Sequence, residues 1–388
     1  MQISRRSALL GLSSAWSVGR ASIALADAPT QKRLVVVILR GALDGLAAVT
    51  PYGDPALAGL RGALVLPEPG RPGGLLDMGG FFGLHPALEG MHALYAAGQL
   101  LPVHAVAGGY RSRSHFDAQD YMESGAEQRL SSGWLNRAVE AMPGKRAALS
   151  VGVTVPLVLR GAAGVGTYAP TGYQALAPDL YARVADLAHD DALLGPVLAE
   201  GLKDRGFSGG VLAGMTPSGD RNSVANVAGA AGRLLAAADG PRVAVLEGGG
   251  WDTHAGQLQR LVGPLKQLDI GMVALKTALG PAWEQTAVLV MTEFGRTVRV
   301  NGTGGTDHGT AGVAFVAGGA VAGGRVAGTW PGLGGGKLFE DRDLSPTTDL
   351  RSLAMGLLVG HLGVPASAMP VVFPGLGGVT AEGGLLRA

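Results

Sequence analysis

The chain has 388 residues, 47% of them hydrophobic, with 31 basic and 30 acidic residues and a formal net charge of +1. That length suits one large domain or two modest ones, and the charge balance leaves no electrostatic footprint for nucleic acid. Cysteine is absent, which excludes disulfides, thiolate metal sites and cysteine nucleophiles; the 65 glycines follow no Gly-X-Y period, which excludes collagen.

Residues 1–28 stand apart from the fold. Ser4-Arg5-Arg6-Ser7-Ala8-Leu9-Leu10 sets paired arginines ahead of an apolar stretch. Ala24-Leu25-Ala26 offers a small-residue cleavage site, with Ala26-Asp27-Ala28 as a second. The pattern resembles a twin-arginine signal; the plainer alternative is an ordinary signal or anchor with two arginines by chance. Arg20 and several serines make the stretch a poor permanent span, and no later segment approaches 18 uninterrupted apolar residues. The expectation is a periplasmic or secreted protein, exported folded by the twin-arginine machinery, with any cofactor loaded beforehand.

Residues 29–388 read as one α/β domain, with 160–240 as a possible cap or flanking subregion. Leu34-Val35-Val36-Val37-Ile38-Leu39 is a continuous β-branched run that suits a buried parallel strand, and it ends at Arg40-Gly41-Ala42-Leu43-Asp44-Gly45. Residues 50–85, rich in Pro and Gly, predict a long surface excursion. A helical pattern follows His85-Pro86 through Leu88, Met91, Leu94 and Tyr95, then a buried strand at 100–107. After Gly108-Gly109-Tyr110-Arg111-Ser112-Arg113-Ser114-His115-Phe116 a helix is expected from Asp117. Strands are expected within 147–155 and 157–160, and helices near 178–204 and 222–239. Next come a strand at 243–246, a helix at 257–279, strands at 287–291 and 313–317, and a helix near 350–362. Strands alternating with helices imply a mostly parallel sheet with helices on both faces.

The chemistry-bearing residues cluster where these strands end, which is where open α/β sheets bind ligands. Asp44 follows the first strand, as a turn cap or as a functional acid. Ser112, Ser114 and His115 lie between a strand and a helix. There a hydroxyl serves as an N-cap or as an attacking group favoured by the helix dipole, with Arg111 and Arg113 adding positive charge. Asp252 and His254 sit in a Gly-rich turn, and together suit a divalent metal; the plainer reading is a helix cap beside a histidine packed on Trp251. Glu293 ends the most apolar strand, with Arg296 three residues on, so the pair is a local salt bridge or a ligand with an anion-binding cation. Asp307-His308 lies among glycines and threonines in a loop that needs no histidine for its turn. The remaining histidines lack companion ligands nearby in sequence and read as structural or surface groups.

Five stretches, taken in order, resemble a secreted bacterial family known as domain of unknown function 1501. They are Leu39–Gly45, Arg113–Phe116, Trp251–His254, Thr292–Arg296 and Gly305–Gly309. That family is in turn similar to the alkaline phosphatase and sulfatase superfamily. The resemblance implies a three-layer alkaline phosphatase-like α/β fold and a divalent metal site (Zn, Mg, Mn or Ca). It implies Asp44 as the early metal Asp, and Ser114 as nucleophile with Ser112 as second choice. Asp252 and His254 would be a metal-binding pair, Glu293 a strand-end acid, and His308 the final histidine, with Asp307 beside it. Arg296 or Arg113 would steady the transferred group. Phe294 stands where the superfamily has a metal-binding His, which puts a second ion and hydrolysis in question. The expected function is metal-dependent hydrolysis of a small anionic phosphate or sulfate ester. The rivals are a non-catalytic binding or assembly protein keeping the fold, and a metal-dependent redox enzyme, disfavoured by the lack of Cys and of a dinucleotide Gly fingerprint.

Overall fold

A computed structural model of the chain describes residues 31–143, 148–152, 154–169, 183, 186, 191, 194–213 and 223–388. The twin-arginine-type signal expected at 1–28 lies outside the described residues, as does part of the 160–240 stretch.

The strands in chain order are β1 (Arg33–Leu39), β2 (Val49–Thr50), β3 (Leu76–Asp77), β4 (Gly83–Leu84), β5 (Leu100–Ala107), β6 (Ala148–Val151), β7 (Val165–Tyr168), β8 (Val243–Gly248), β9 (Thr286–Thr292), β10 (Gly312–Ala317) and β11 (Thr348–Asp349). Eight of them form one sheet in the order β11-β5-β10-β9-β1-β8-β6-β7. β1 pairs in parallel with β8 and β9, and β8, β6 and β7 continue parallel. Only β10 is reversed, antiparallel to both β5 and β9. β2, β3 and β4 make a small separate sheet inside the segment expected as a plain excursion.

Alternation along β1 divides the core. Leu34, Val36 and Ile38 face a layer carrying Trp134 and Leu135 of helix Trp134–Ala141 and Leu353 and Leu357 of helix Leu350–Gly360. Val35 and Leu39 face the other layer, with Met91 of helix Glu89–Ala96, Leu234 of helix Val224–Ala236 and Leu265 and Leu275 of helix Val262–Leu279. Because both faces are covered, β1 carries apolar residues at every position from Leu34 to Leu39 rather than an in-out alternation. Each such side chain contributes about 1.5–3 kcal/mol on burial. The result is the expected three-layer architecture.

One expected strand is not formed. Leu157–Leu159 is a 3-10 turn, because Pro156 opens it and the buried Glu123 carboxylate accepts a hydrogen bond from the Val158 N–H at 2.9 Å. The helix after Gly108–Ser114 begins at His115, two residues earlier than expected. No described helix is long and apolar enough to cross a membrane.

Candidate functional site

The reversed strand explains why all five motif stretches meet. Parallel strands β1, β5, β8 and β9 deliver Asp44, Ser114–His115, Asp252–His254 and Glu293–Arg296 from their carboxyl ends. β10 runs the other way, so the loop that precedes it, with Asp307 and His308, opens at the same sheet edge. The loops then stack closely. A Cβ on Gly305 would lie 2.3 Å from the His254 carbonyl carbon, and one on Gly309 would lie 2.4 Å from that of Arg296. Only glycine permits that approach.

Four ring and carboxylate atoms converge at this edge. From Asp252 Oδ1, His254 Nε2 is 3.0 Å away, His308 Nε2 is 3.5 Å and His115 Nε2 is 3.6 Å. His254 Nε2 and His308 Nε2 are themselves 3.0 Å apart. His115, Asp252 and His308 each offer a ligand atom within 4.8 Å of the other two, a spacing that one ion can draw together, and His254 Nε2 lies beside Asp252 and His308. His115 Nε2 is buried and has no hydrogen-bond partner among the described residues. That orphaned atom points to a missing partner.

The far-side contacts of His308 and His115 fix which nitrogen holds the proton in those two rings. His308 Nδ1 lies 2.8 Å from the Arg113 carbonyl, which only accepts, so Nδ1 carries the hydrogen and Nε2 the lone pair. His115 Nδ1 lies 2.8 Å from Glu293 Oε1, and His254 Nδ1 lies 3.2 Å from Asp307 Oδ1. With His115 and His308 neutral, two lone pairs and a carboxylate oxygen face one another, and His254 adds a third when Asp307 takes its Nδ1 hydrogen, an arrangement that a cation relieves and that the outer acceptors orient.

Arg296 is the protein's own cation here. Buried in the wall, its Nη1 donates to Asp252 Oδ1 at 2.7 Å, Nε donates to Thr306 Oγ1 at 3.2 Å, and Nη2 donates to the Thr306 carbonyl at 2.5 Å. Burial pushes the Asp252 pKa up, but the Arg296 bond and charge and the neighbouring imidazoles win and hold it below the usual range. Asp307 is also lowered, first by a hydrogen bond from Asn301. The hydrogen bond to Glu293 raises His115, which makes its ring a stronger base, while burial lowers His308.

The other expected site residues take different places. Glu293 lies behind His115: its Oε1 accepts from Gly41 N–H, His115 and Gln119, and its Oε2 from the Thr292 hydroxyl. Burial raises its pKa, and these donors more than reverse the effect. Asp307 stands behind His254 in the same way. Asp44 is fully buried and does not reach the cluster. It caps the short helix Gly45–Ala48 through the Leu46 N–H, and its Oδ2 is held by Arg61 and, at 2.5 Å, by Gln257 Nε2. The capping role is thus realised at Asp44, whereas Asp252 does not cap the next helix: Gln257–Arg260 has Gly256 at its N-cap and no side-chain cap.

Ser114 occupies the N-cap position of helix His115–Ser124 and makes no capping bond; Ser112 is exposed. Arg113 has a left-handed backbone, φ 60°, and its guanidinium pairs with Asp343 and Glu340, so only its carbonyl serves the cluster. Phe294 is buried and stacks on His115 at 4.9 Å between ring centres. An imidazole from a helix start thus lies over the phenyl ring that occupies the expected histidine position. Gln257 was not expected. Its Oε1 accepts from Thr253 and Thr306, linking Asp44 to Arg296, and nothing in its sequence setting marks it out.

Residues 213–371 match the family model described as a protein of unknown function, DUF1501, and that span contains three of the five motif stretches. No curated protein matches the chain. Among solved structures, Ps i-CgsB is similar at 10% identity and a TM-score of 0.39, over 87% of this chain and 73% of that one. A protein in the alkaline phosphatase superfamily from Vibrio parahaemolyticus is similar at 11% identity and a TM-score of 0.31, over 82% and 69%. BT1596, a 2-O GAG sulfatase, is similar at 13% identity and a TM-score of 0.34, over 88% and 74%.

Proposed function

We propose that the chain is an exported, metal-dependent hydrolase of phosphate or sulfate esters. The observation that carries this reading is the convergence of His115, His254 and His308 Nε2 with Asp252 Oδ1, with Nδ1 of each histidine facing an outer acceptor. Neutral imidazoles and one carboxylate suit zinc or a similar divalent ion, and such an ion would polarise an ester oxygen and make a bound hydroxyl more acidic. With Arg296 offsetting Asp252, the ion's charge would favour a small anionic substrate. Ser114, free of a capping bond beside His115, supplies a hydroxyl for in-line attack, with Ser112 as second choice. Arg296 keeps a fixed positive charge at the edge where negative charge develops. The paired arginines of Arg5-Arg6 support export through the twin-arginine route.

Elemental analysis of the purified protein, followed by a panel of phosphate and sulfate esters with several divalent metals, tests the reading. Stoichiometric metal with turnover that is lost in Ser114→Ala supports it. A protein without metal in every condition sinks it. Phe294, together with the protein donors that already engage Asp44 and Glu293, favours a second reading: a non-catalytic binding or assembly protein that keeps one ion. Metal binding without turnover on any ester is its signature.

A further inference from the structure

We infer that the site holds one divalent ion, with His115 as a ligand beside Asp252, His254 and His308, and that Arg61 supplies the charge a second ion would bring. The inference rests on the metal-site reading above and adds the count, the ligand and the substitute. Asp44 and Glu293 are the acids left for a second ion, and both are engaged by the protein's own donors. Asp44 Oδ2 is occupied by Arg61 and Gln257 and its Oδ1 by the Leu46 N–H. Arg61 is itself buried and donates on to the carbonyls of Thr297 at 3.2 Å and Val298 at 3.3 Å, so its guanidinium is fixed in place. Three donors converge on Glu293 Oε1, and its Oε2 is turned to the Thr292 hydroxyl, so the carboxylate is held away from the cluster.

Next to Glu293 in sequence, Phe294 belongs to an apolar patch. Phe294, Ala42 and Ala118 form a buried cluster, and the Phe294 ring sits 4.9 Å from His115 and 5.2 Å from His308. A second ion would meet a phenyl face and two alanines. Among the described residues, His115 alone keeps a buried side-chain nitrogen with no hydrogen-bond partner, and it groups with Asp252 and His308, the three ligand atoms lying within 4.8 Å of one another.

The experiment is a zinc titration of the full chain by calorimetry, with elemental analysis after dialysis. One ion per chain is expected at saturation. His115→Ala should weaken zinc by more than roughly 100-fold, beyond the 10–100-fold typical for an outer partner. If that variant does not fold, His115→Gln with cobalt(II) replaces it: the visible bands of four-coordinate cobalt, present in the wild type, should be lost or shifted. Two ions per chain, or unchanged affinity and cobalt spectrum in the His115 variants, overturn the inference and leave the metal-site reading standing. No ion bound by the wild type overturns both.

Discussion

Two aspartates follow neighbouring parallel strands at the same sheet edge, and their surroundings make them different groups. Asp44, after β1, is fully buried, capped onto a backbone N–H and neutralised by Arg61. Asp252, after β8, keeps 43% of its side chain exposed and directs one oxygen at Arg296 and three imidazoles. Residue type and position relative to a strand are the same for both. What separates a structural acid from a ligand is whether its lone pairs are already committed, and the partners that commit Asp44 come from Arg61 and Gln257, 17 and 213 residues away.

The same substitution at both positions is the sharpest test of that contrast. Asp252→Asn keeps an oxygen for Arg296 but removes the anionic ligand. We expect bound metal and ester turnover to vanish, with a smaller loss of stability than at Asp44, because the half-exposed Asp252 leaves Arg296 an amide oxygen and nearby solvent in place of its counter-charge. Asp44→Asn should do the reverse: unfolding in urea should show a loss of about 3–5 kcal/mol, because Arg61 is left buried without its counter-charge, while the purified variant retains its ion. If Asp44→Asn instead strips the metal at unchanged stability, the assignment of the two acids is inverted.

Smaller effects probe the groups behind the ligands. Glu293→Gln should lower zinc affinity about 10- to 100-fold by calorimetry, since the amide orients His115 less well and adds no charge. The buried histidines outside the site give a contrasting pH response. Burial pushes His85, His104 and His361 down to about 4 from the ordinary 6.5. They are neutral in the folded protein, and the unfolded chain takes up their protons first as pH falls. Their contribution is therefore present above pH 6.5 and lost between 6.5 and 4, at about 1–2 kcal/mol each by pH 5. Urea midpoints in metal-free protein at pH 7 and pH 5 measure it; a flat profile would mean these imidazoles charge in place. Ser112→Ala, at an exposed position, should change stability by less than about 0.5 kcal/mol and leave turnover intact, unlike Ser114→Ala.

Much of the architecture was legible because apolar runs report buried strands directly. Leu34–Leu39, the 100–107 run and the 287–291 run all became central strands. The direction of β10 was not legible, since an apolar run reads the same in either sense; yet that reversal is what turns His308 toward the site. Strand β7 and the three short strands of the small sheet fell below the length at which a pattern declares itself. Among the site residues, Asp252, His254, His308 and His115 come together, whereas Glu293 and Asp307 stand one residue behind them. Sequence signals an acid near a histidine but not which of the two faces inward. Arg61, Gln119 and Gln257 were invisible for the opposite reason: nothing distinguishes a buried polar partner from a surface one until the fold brings it in.

The way the cluster is assembled has a consequence for when it can act. Its side chains come from three stretches, near 115, near 252–254 and near 296–308, and the strands that carry them meet only through β1 and the reversed β10. A chain with β5 undocked lacks His115, and one with β10 unpaired lacks His308. Under the proposed metal reading, full-strength ion capture would report that the sheet is complete from β5 to β8, and the ion, by favouring only that state, would act as a latch on the finished fold.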